Sequence, residues 1–250
     1  MSSTALSSLF TPSYYNQLYE SMRYLEYDEI LKLCNTNHQT RSYCENNLLV
    51  NRLLISRKTD QYIEIYGSPL QALIAASTQG NLNIVNELIR RGVDPKDNDK
   101  VLFGALNKRR LNVIKRLLEV GVDPSVRHNW AIISAASKGD LTLVSLLLNQ
   151  RRVDPSDKSN QAIINASQGG HTHVVSKLLS HPKVDPSARD NEAIRLANRN
   201  KHYDVVALLL KDPRVYFTLD PTFRSHLKAT SSEKQTLEDF EEDFEEDFDE

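Results

Sequence analysis

A short phrase that recurs at a near-constant spacing limits what this chain can fold into. Val-Asp-Pro begins at Val93, Val122, Val153 and Val184, at intervals of 29, 31 and 31 residues. Each of the last three phrases is followed by similar text, which begins at Asn129, Asn160 and Asn191, and looser copies begin at Gln71 and Asp99. Five copies at one period are typical of a stack of repeats in which each unit contacts only its neighbours.

Each copy has the pattern of two short helices. In the second helix of the third copy, Leu141, Val144, Leu147 and Leu148 would share one helical face. The first helix carries small residues such as Ala131, which allow neighbouring helices to approach closely. One helix pair cannot bury such a face alone, so the pattern predicts that stacked pairs form one continuous core.

The residues between the helices indicate tight turns. Gly80, Gly139 and Gly170 separate the two helices of three copies and suit a positive φ, whereas Arg109 and Lys201 stand there in the other two. Asn129, Asn160 and Asn191 directly precede the first helix, so we expect them to be N-caps. The Asp-Pro pairs are expected to be turn residues that stop the second helix.

These residues resemble the ankyrin repeat, whose pattern is G-x-T-P-L-H-x-A-A-x-x-G-H-x-x-V-x-x-L-L-x-x-G-A-D. Ala135-Ala136, Gly139, Val144, Leu147-Leu148 and the pair Gly170-His171 match it over roughly residues 69 to 214. The T-P-L-H signature is replaced, for example by Trp130-Ala131-Ile132-Ile133, and the period is shorter than the usual 33 residues. The resemblance implies an all-α, ankyrin-type helical solenoid of about five repeats with short fingers.

Two interpretations fit the N-terminal segment, residues 1–60. Residues 14–54 show no repeat but have the pattern of two or three short amphipathic helices. Their order resembles a divergent F-box, which would dock onto the Skp1 adaptor of ubiquitin ligases, although the usual tryptophan is absent and Leu48-Leu49 stand in that region. A helical cap over the first repeat explains the same residues. The whole layout is similar to the ankyrin multigene families of large DNA viruses.

Charge is distributed unevenly along the chain. Ten acidic residues and no Lys or Arg lie between Glu238 and Glu250, which leaves 31 basic against 23 acidic residues before position 238. Residues 69–228 are expected to form the repeats with a C-terminal capping segment, and 229–250 a linker and an acidic tail. Such a tail is typically disordered and solvated. Phe240, Phe244 and Phe248 would form a stripe if it became helical on a partner.

The remaining patterns argue against several functions. No stretch approaches the roughly 18 apolar residues that would span a bilayer, and no phosphate-binding, dinucleotide or H-E-x-x-H motif is present. His171 and His173 lack two further convergent ligands, so we expect no metal, no cofactor and no enzymatic activity. Cys34 and Cys44 lack the spacing of a metal site or a disulfide framework, which favours buried structural thiols in the cytoplasm or nucleus, of a host cell if the protein is viral.

The ankyrin resemblance also implies where a partner would bind. Ankyrin stacks use a concave face made of finger residues and the first helices. That face would hold Lys96, Asp97, Asn107, Lys108, Val126, Arg127, Ser137, Lys138, Asp157, Lys158, Gln168, Arg189, Arg199 and Asn200. Seven of these fourteen are Lys or Arg and two are Asp, so the face either is merely solvated or binds an acidic protein segment. Scarce aromatic residues disfavour nucleic acid, and we expect a monomer that does not engage a membrane.

Overall fold

The computed structural model describes residues 12–230, which are helical and fall into two compact units divided between Val122 and Asp123. The predicted acidic tail lies outside the described residues. The domain boundaries proposed from the sequence stay a prediction, and this division at residue 122 was not among them.

The first unit begins with a cluster of four helices and continues into two helix pairs. Its helices are α1 (Pro12–Met22), α2 (Tyr27–Cys34), α3 (His38–Asn46), α4 (Leu48–Tyr66), α5 (Pro69–Gln79), α6 (Leu82–Arg90), α7 (Lys100–Asn107) and α8 (Leu111–Glu119). Helices α1 to α4 enclose a small core of their own, made of Leu18, Met22, Ile30, Cys34, Cys44 and Val50. Residues 14–54 thus form a compact helical segment, as both interpretations of the sequence require.

Helix α4 covers the first repeat. The Tyr62 hydroxyl donates to Oε1 of Gln79 over 2.6 Å, and Nη1 of Arg91 lies 2.7 Å from Oδ1 of Asp60. Arg91 also donates to the backbone carbonyl and the hydroxyl of Ser56. These bonds join α4 to both helices of the first pair. The contacts support the cap interpretation of the N-terminal segment.

The two cysteines correct an expectation. Cys34 and Cys44 are buried as expected, but their sulfurs are 2.09 Å apart and form a disulfide that joins the end of α2 to α3. The prediction that they are unpaired thiols was wrong. Disulfides persist mainly in oxidising compartments, so the cysteines no longer support a cytoplasmic or nuclear location. That location stays a prediction.

The second unit contains three full helix pairs and a C-terminal segment. Its helices are α9 (Val126–Ser137), α10 (Leu141–Leu148), α11 (Asp157–Gln168), α12 (Thr172–Leu179), α13 (Ala188–Arg199), α14 (Tyr203–Leu210), α15 (Pro213–Tyr216) and α16 (Pro221–Thr230). The first helices α9, α11 and α13 pack side by side, and the second helices α10, α12 and α14 form a layer behind them. Val215, Leu219 and Leu227 of the C-terminal segment are buried, as a terminal capping segment requires.

The second helices bury a face that differs slightly from the predicted one. Val144 and Leu147 are buried as predicted, and Leu143, which was not predicted, is buried as well. Leu141 is 39% exposed and Leu148 is half-buried, although both were predicted to face the core. The third and fourth residues of α12 and α14, Val174-Val175 and Val205-Val206, are likewise buried. Each second helix is therefore rotated toward its third residue, because that residue and its successor both face the first helices.

Each first helix of the second unit contains a short left-handed turn near its start. Arg127, His128 and Asn129 have φ of 56°, 57° and 53°, and the triplets that begin at Lys158 and Arg189 repeat this conformation. The right-handed helix begins only after the Asn. A left-handed conformation costs about 1–2 kcal/mol per residue, least for Asn and Asp, whose side chains bond locally. These turns must therefore be held by other contacts.

The three Asn side chains provide such contacts, and they do not cap their own helices. Oδ1 of Asn129 accepts from the backbone N–H of Asp154 over 2.8 Å, and Oδ1 of Asn160 accepts from that of Asp185 over the same distance. Nδ2 of Asn191 donates to the hydroxyl of Thr218 over 3.1 Å. The N-cap prediction was wrong. Each buried Asn instead ties its repeat to the next one.

Candidate interaction surface

The Asp-Pro-Ser sequence builds a rigid turn beside each left-handed triplet. The carboxylate of Asp154 accepts from the backbone N–H of Ser156 over 3.0 Å and from its hydroxyl over 2.6 Å. Nζ of Lys183 lies 3.3 Å from the other carboxylate oxygen. The Ser156 bonds, aided by Lys183 and opposed by burial, hold the pKa of Asp154 below its ordinary value. Asp123 and Asp185 bind Ser125 and Ser187 in the same way. As predicted, the Asp-Pro pairs are turn residues.

Three basic side chains occupy the same place in successive fingers. Arg127, Lys158 and Arg189, here called the finger row, are each the first residue of a left-handed triplet, and all three are exposed. Arg189 donates to the backbone carbonyl of Lys158 and to Oε1 of Gln161, the latter over 2.9 Å. The structure thus brings these predicted residues together along one edge of the second unit.

The finger row is interleaved with acidic groups. Nη1 of Arg189 lies 3.3 Å from the Glu192 carboxylate, and Asp190 is paired with Arg195 over 3.3 Å. Asp157, a predicted binding residue, is half-buried and accepts from Nδ2 of Asn129 over 2.9 Å. Arg189 of the finger row is therefore ion-paired, and Asp157 has a structural bond as well as any role in binding. Val126, another predicted residue, is half-buried at the start of α9.

The other predicted residues of the second unit lie where the first helices end. Ser137, Lys138, Gln168, Arg199 and Asn200 are all exposed at these helix ends. Nδ2 of Asn200 donates to the carbonyl of Gln168 over 2.8 Å. The ring Nε2 atoms of His171 and His202 lie 3.1 Å from the carbonyls of Ser137 and Gln168. These bonds join the three helix-to-helix junctions into one continuous edge.

The junctions carry exposed positive charge. We call Lys138, Arg199 and Lys201 the junction row; all three are exposed, and none forms an ion pair within 4 Å in the described part of the chain. Asp140 is buried beside them, where its carboxylate accepts from the backbone N–H of Leu143. Asp204 is exposed one residue into α14.

The binding face predicted from the sequence did not include Lys201, His171 or His202. Lys201 stands where other copies have Gly139 or Gly170 and adopts the positive φ expected there, 62°. Its exposure on the edge was therefore predictable from its place in the repeat. The hydrogen bonds of the two histidines were not predictable from the sequence, because they join residues 34 positions apart.

Four predicted binding residues belong to the first unit. Lys96 is exposed, and its backbone N–H donates to the Asp94 carboxylate over 2.9 Å. Asp97 ends the short 3-10 turn Pro95–Asp97. Asn107 and Lys108 are exposed at the end of α7. Their role in binding stays a prediction.

Within residues 12–230, no three metal-binding side chains converge on one point. None of the helices in that range is both long enough and apolar enough to cross a bilayer. Paired helices stacked through buried apolar faces, with fingers held by Asp-Pro-Ser turns, define an all-helical repeat protein.

Comparison with known proteins names these repeats. The family model for ankyrin repeats matches residues 132–218 in three copies, which correspond to the helix pairs of the second unit and its C-terminal segment. No curated protein matches the chain. Ankyrin repeats are protein–protein interaction modules and typically non-enzymatic. The F-box-like and viral resemblances stay predictions.

Proposed function

We propose that the protein is a protein–protein interaction scaffold that binds its partner through the finger row and the junction row of the second unit. One observation carries the proposal. Exposed side chains recur at equivalent positions of successive repeats, while the Asp, Ser and Asn residues beneath them are hydrogen-bonded to one another. Binding specificity of this kind resides in surface residues placed on a shared scaffold.

Charge suggests the chemistry of the partner. Arg189 of the finger row is paired with Glu192, whereas no cation of the junction row has an ion-pair partner among the described residues. An acidic protein segment would therefore be attracted most strongly along the junctions. Its contacts with the fingers would fix its position on the surface. The four predicted residues of the first unit would extend the same binding function, and the protein would act as a monomer without a cofactor.

Capture of the partner from cells of the source organism tests this proposal. The full chain serves as bait, beside the double variant Lys138→Glu/Lys158→Glu and the control Lys177→Glu. Lys177 is also exposed but lies on the second helix α12. We expect the double variant to retain at most a tenth of the partner and the control to retain it all, because reversed charge repels an acidic segment. Equal capture by all three would reject the proposed surface.

A second candidate function is that of a substrate adaptor that binds a Skp1-like protein through the N-terminal segment. The observation in its favour is the exposure of Leu48 and Leu49, at 65% and 50%, where α4 begins. Exposed apolar side chains rimmed by polar groups commonly mark partner sites. Neighbouring apolar residues of the segment are less accessible, since Ile30 is fully buried and Leu25, Leu31 and Leu33 are half-buried.

Calorimetric titration with Skp1 tests the second candidate. The wild-type chain should release or absorb heat, and the variant Leu48→Asp/Leu49→Asp should not. The control Tyr24→Asp changes another exposed apolar residue, 82% exposed, outside the start of α4. No heat from the wild-type chain at high micromolar concentration would leave only the cap interpretation.

A further inference from the structure

The junction row is a patch of positive charge that the second unit leaves unbalanced. Lys138, Arg199 and Lys201 lie on an edge that the His171 and His202 bonds make continuous from α9 to α14. Several other cations of this unit have carboxylate partners; Arg152, for example, is 3.1 Å from Asp123, and Lys183 is 3.3 Å from Asp154. Residues 123–230 contain 15 Lys and Arg against 10 Asp and Glu. The unit therefore has an excess of positive charge, and the junction row presents part of it without a partner.

The same chain carries a segment of complementary charge. Residues 238–250 hold ten acidic residues, no Lys or Arg, and Phe240, Phe244 and Phe248 at intervals of four. We propose that this acidic segment binds the junction row of its own chain. The inference rests on the proposed function in one respect, namely that an external acidic partner would use the same edge and would have to displace the tail.

The position of the last helix makes this contact sterically feasible. The guanidinium carbon of Arg195 lies 5.1 Å from the centre of the Phe223 ring in α16. Arg195 is one helical turn before Arg199, and the seven residues from Phe223 to the end of α16 span about 10 Å. Residues 231–237 can extend by roughly 23 Å and the acidic segment by roughly 45 Å more. The segment is therefore long enough to reach Arg199 and run along the junctions to Lys138.

Tethering favours the tail over an untethered acidic peptide. A covalent connection of this length gives an effective concentration of up to about the millimolar range, so even a weak contact is populated. The contact depends on several exposed charge pairs, which salt screens over about 10 Å at 0.1 M. It should therefore be reversible and sensitive to ionic strength, as a competitor of a partner must be.

Zero-length carbodiimide cross-linking of the dilute full chain, followed by mass spectrometry of the monomer, tests the inference. Carboxylates of residues 238–250 should couple to the amines of Lys138 and Lys201 at least fivefold more than to those of Lys177 and Lys211, which are also exposed. The preference should vanish at about 0.5 M salt. Equal coupling to all four lysines, or coupling only between two copies of the chain, would overturn the proposal.

Two variants of equal charge change supply a second readout. In Lys138→Gln/Arg199→Gln/Lys201→Gln the tail resonances in NMR spectra should lose their salt-dependent shifts, whereas Arg151→Gln/Lys177→Gln/Lys211→Gln should keep them. Unchanged tail resonances in the first variant would reject the inference. Capture of a partner without any tail contact would reject the inference and leave the proposed function standing. Tail contact without capture of a partner would reject only the proposed function.

Discussion

Oδ1 of Asn160 accepts a hydrogen bond from the backbone N–H of Asp185, 2.8 Å away in the next repeat. Asn160 is 7% exposed and has a positive φ of 64°. Asn tolerates this left-handed conformation better than most residues. One side chain thus both permits the turn and joins two repeats.

Replacement of this Asn tests the link. Asn160→Ala leaves the Asp185 N–H without its partner and should lower the free energy of unfolding by about 1–3 kcal/mol. Asn149→Ala, at an exposed position after α10, is the control and should change it by less than about 0.5 kcal/mol. Urea denaturation followed by circular dichroism measures both. Equal losses would show that the bond does not stabilise the stack.

The register of the second helices is tested by three leucines. Leu147 and Leu178 are fully buried, so either change to Ala should cost about 2–5 kcal/mol. Leu141→Ala should cost much less, because Leu141 is 39% exposed. Since repeats couple mainly to their neighbours, the damage can remain local, and hydrogen exchange would locate it. A Leu141→Ala loss as large as that of Leu147→Ala would contradict the observed register.

The Glu87 cluster gives the first unit a pH dependence. Glu87 is 9% exposed and accepts from Arg90 and Arg91, over 2.7 and 2.8 Å. The Arg90 bonds, assisted by Arg91 and opposed by burial, hold the pKa of Glu87 below its ordinary value of 4.5. A carboxyl with a depressed folded pKa stabilises the fold above its ordinary pKa, and the effect is lost as pH falls through the folded value.

Comparison with Glu87→Gln isolates this contribution. The wild-type chain should be the more stable at pH 7, and the difference should shrink steadily as the pH falls below about 4.5, where protonated Glu becomes similar to Gln. Denaturation midpoints of both proteins between pH 7 and pH 3 measure it. A constant difference over this range would mean that the Glu87 charge contributes nothing.

Two exposed lysines with different backbone conformations test the helix junctions. Lys201 has a φ of 62°, whereas Lys177 lies within α12. Lys201→Gly removes the left-handed penalty and should stabilise the chain by up to about 1 kcal/mol after the greater freedom of the unfolded glycine is deducted. Lys177→Gly should destabilise it by about 0.5–1 kcal/mol. Thermal unfolding should therefore shift in opposite directions, and shifts of the same sign would contradict the assigned conformation.

The repeat itself was determined by local sequence. The spacing of Val-Asp-Pro, the apolar faces of the second helices and the position of Gly139 predicted helix pairs in a stack, and the structure confirms that architecture. These features depend on residues only a few positions apart, where helical periodicity and turn chemistry act directly. The ends of the first helices, with Lys138 and Arg199, were also predictable from the ankyrin resemblance.

Only the tertiary structure decided which contacts join one repeat to another. The Asn160 bond spans 25 residues, and the His171 bond spans 34, so no local pattern distinguishes a link of this kind from an N-cap. The Cys34–Cys44 disulfide likewise depends on how α2 and α3 pack. Charge followed the same rule. Arg152 is paired with Asp123 and Lys183 with Asp154, each 29 positions away in the sequence. Electrostatic balance depends on distances in space, and these arise only when the repeats stack.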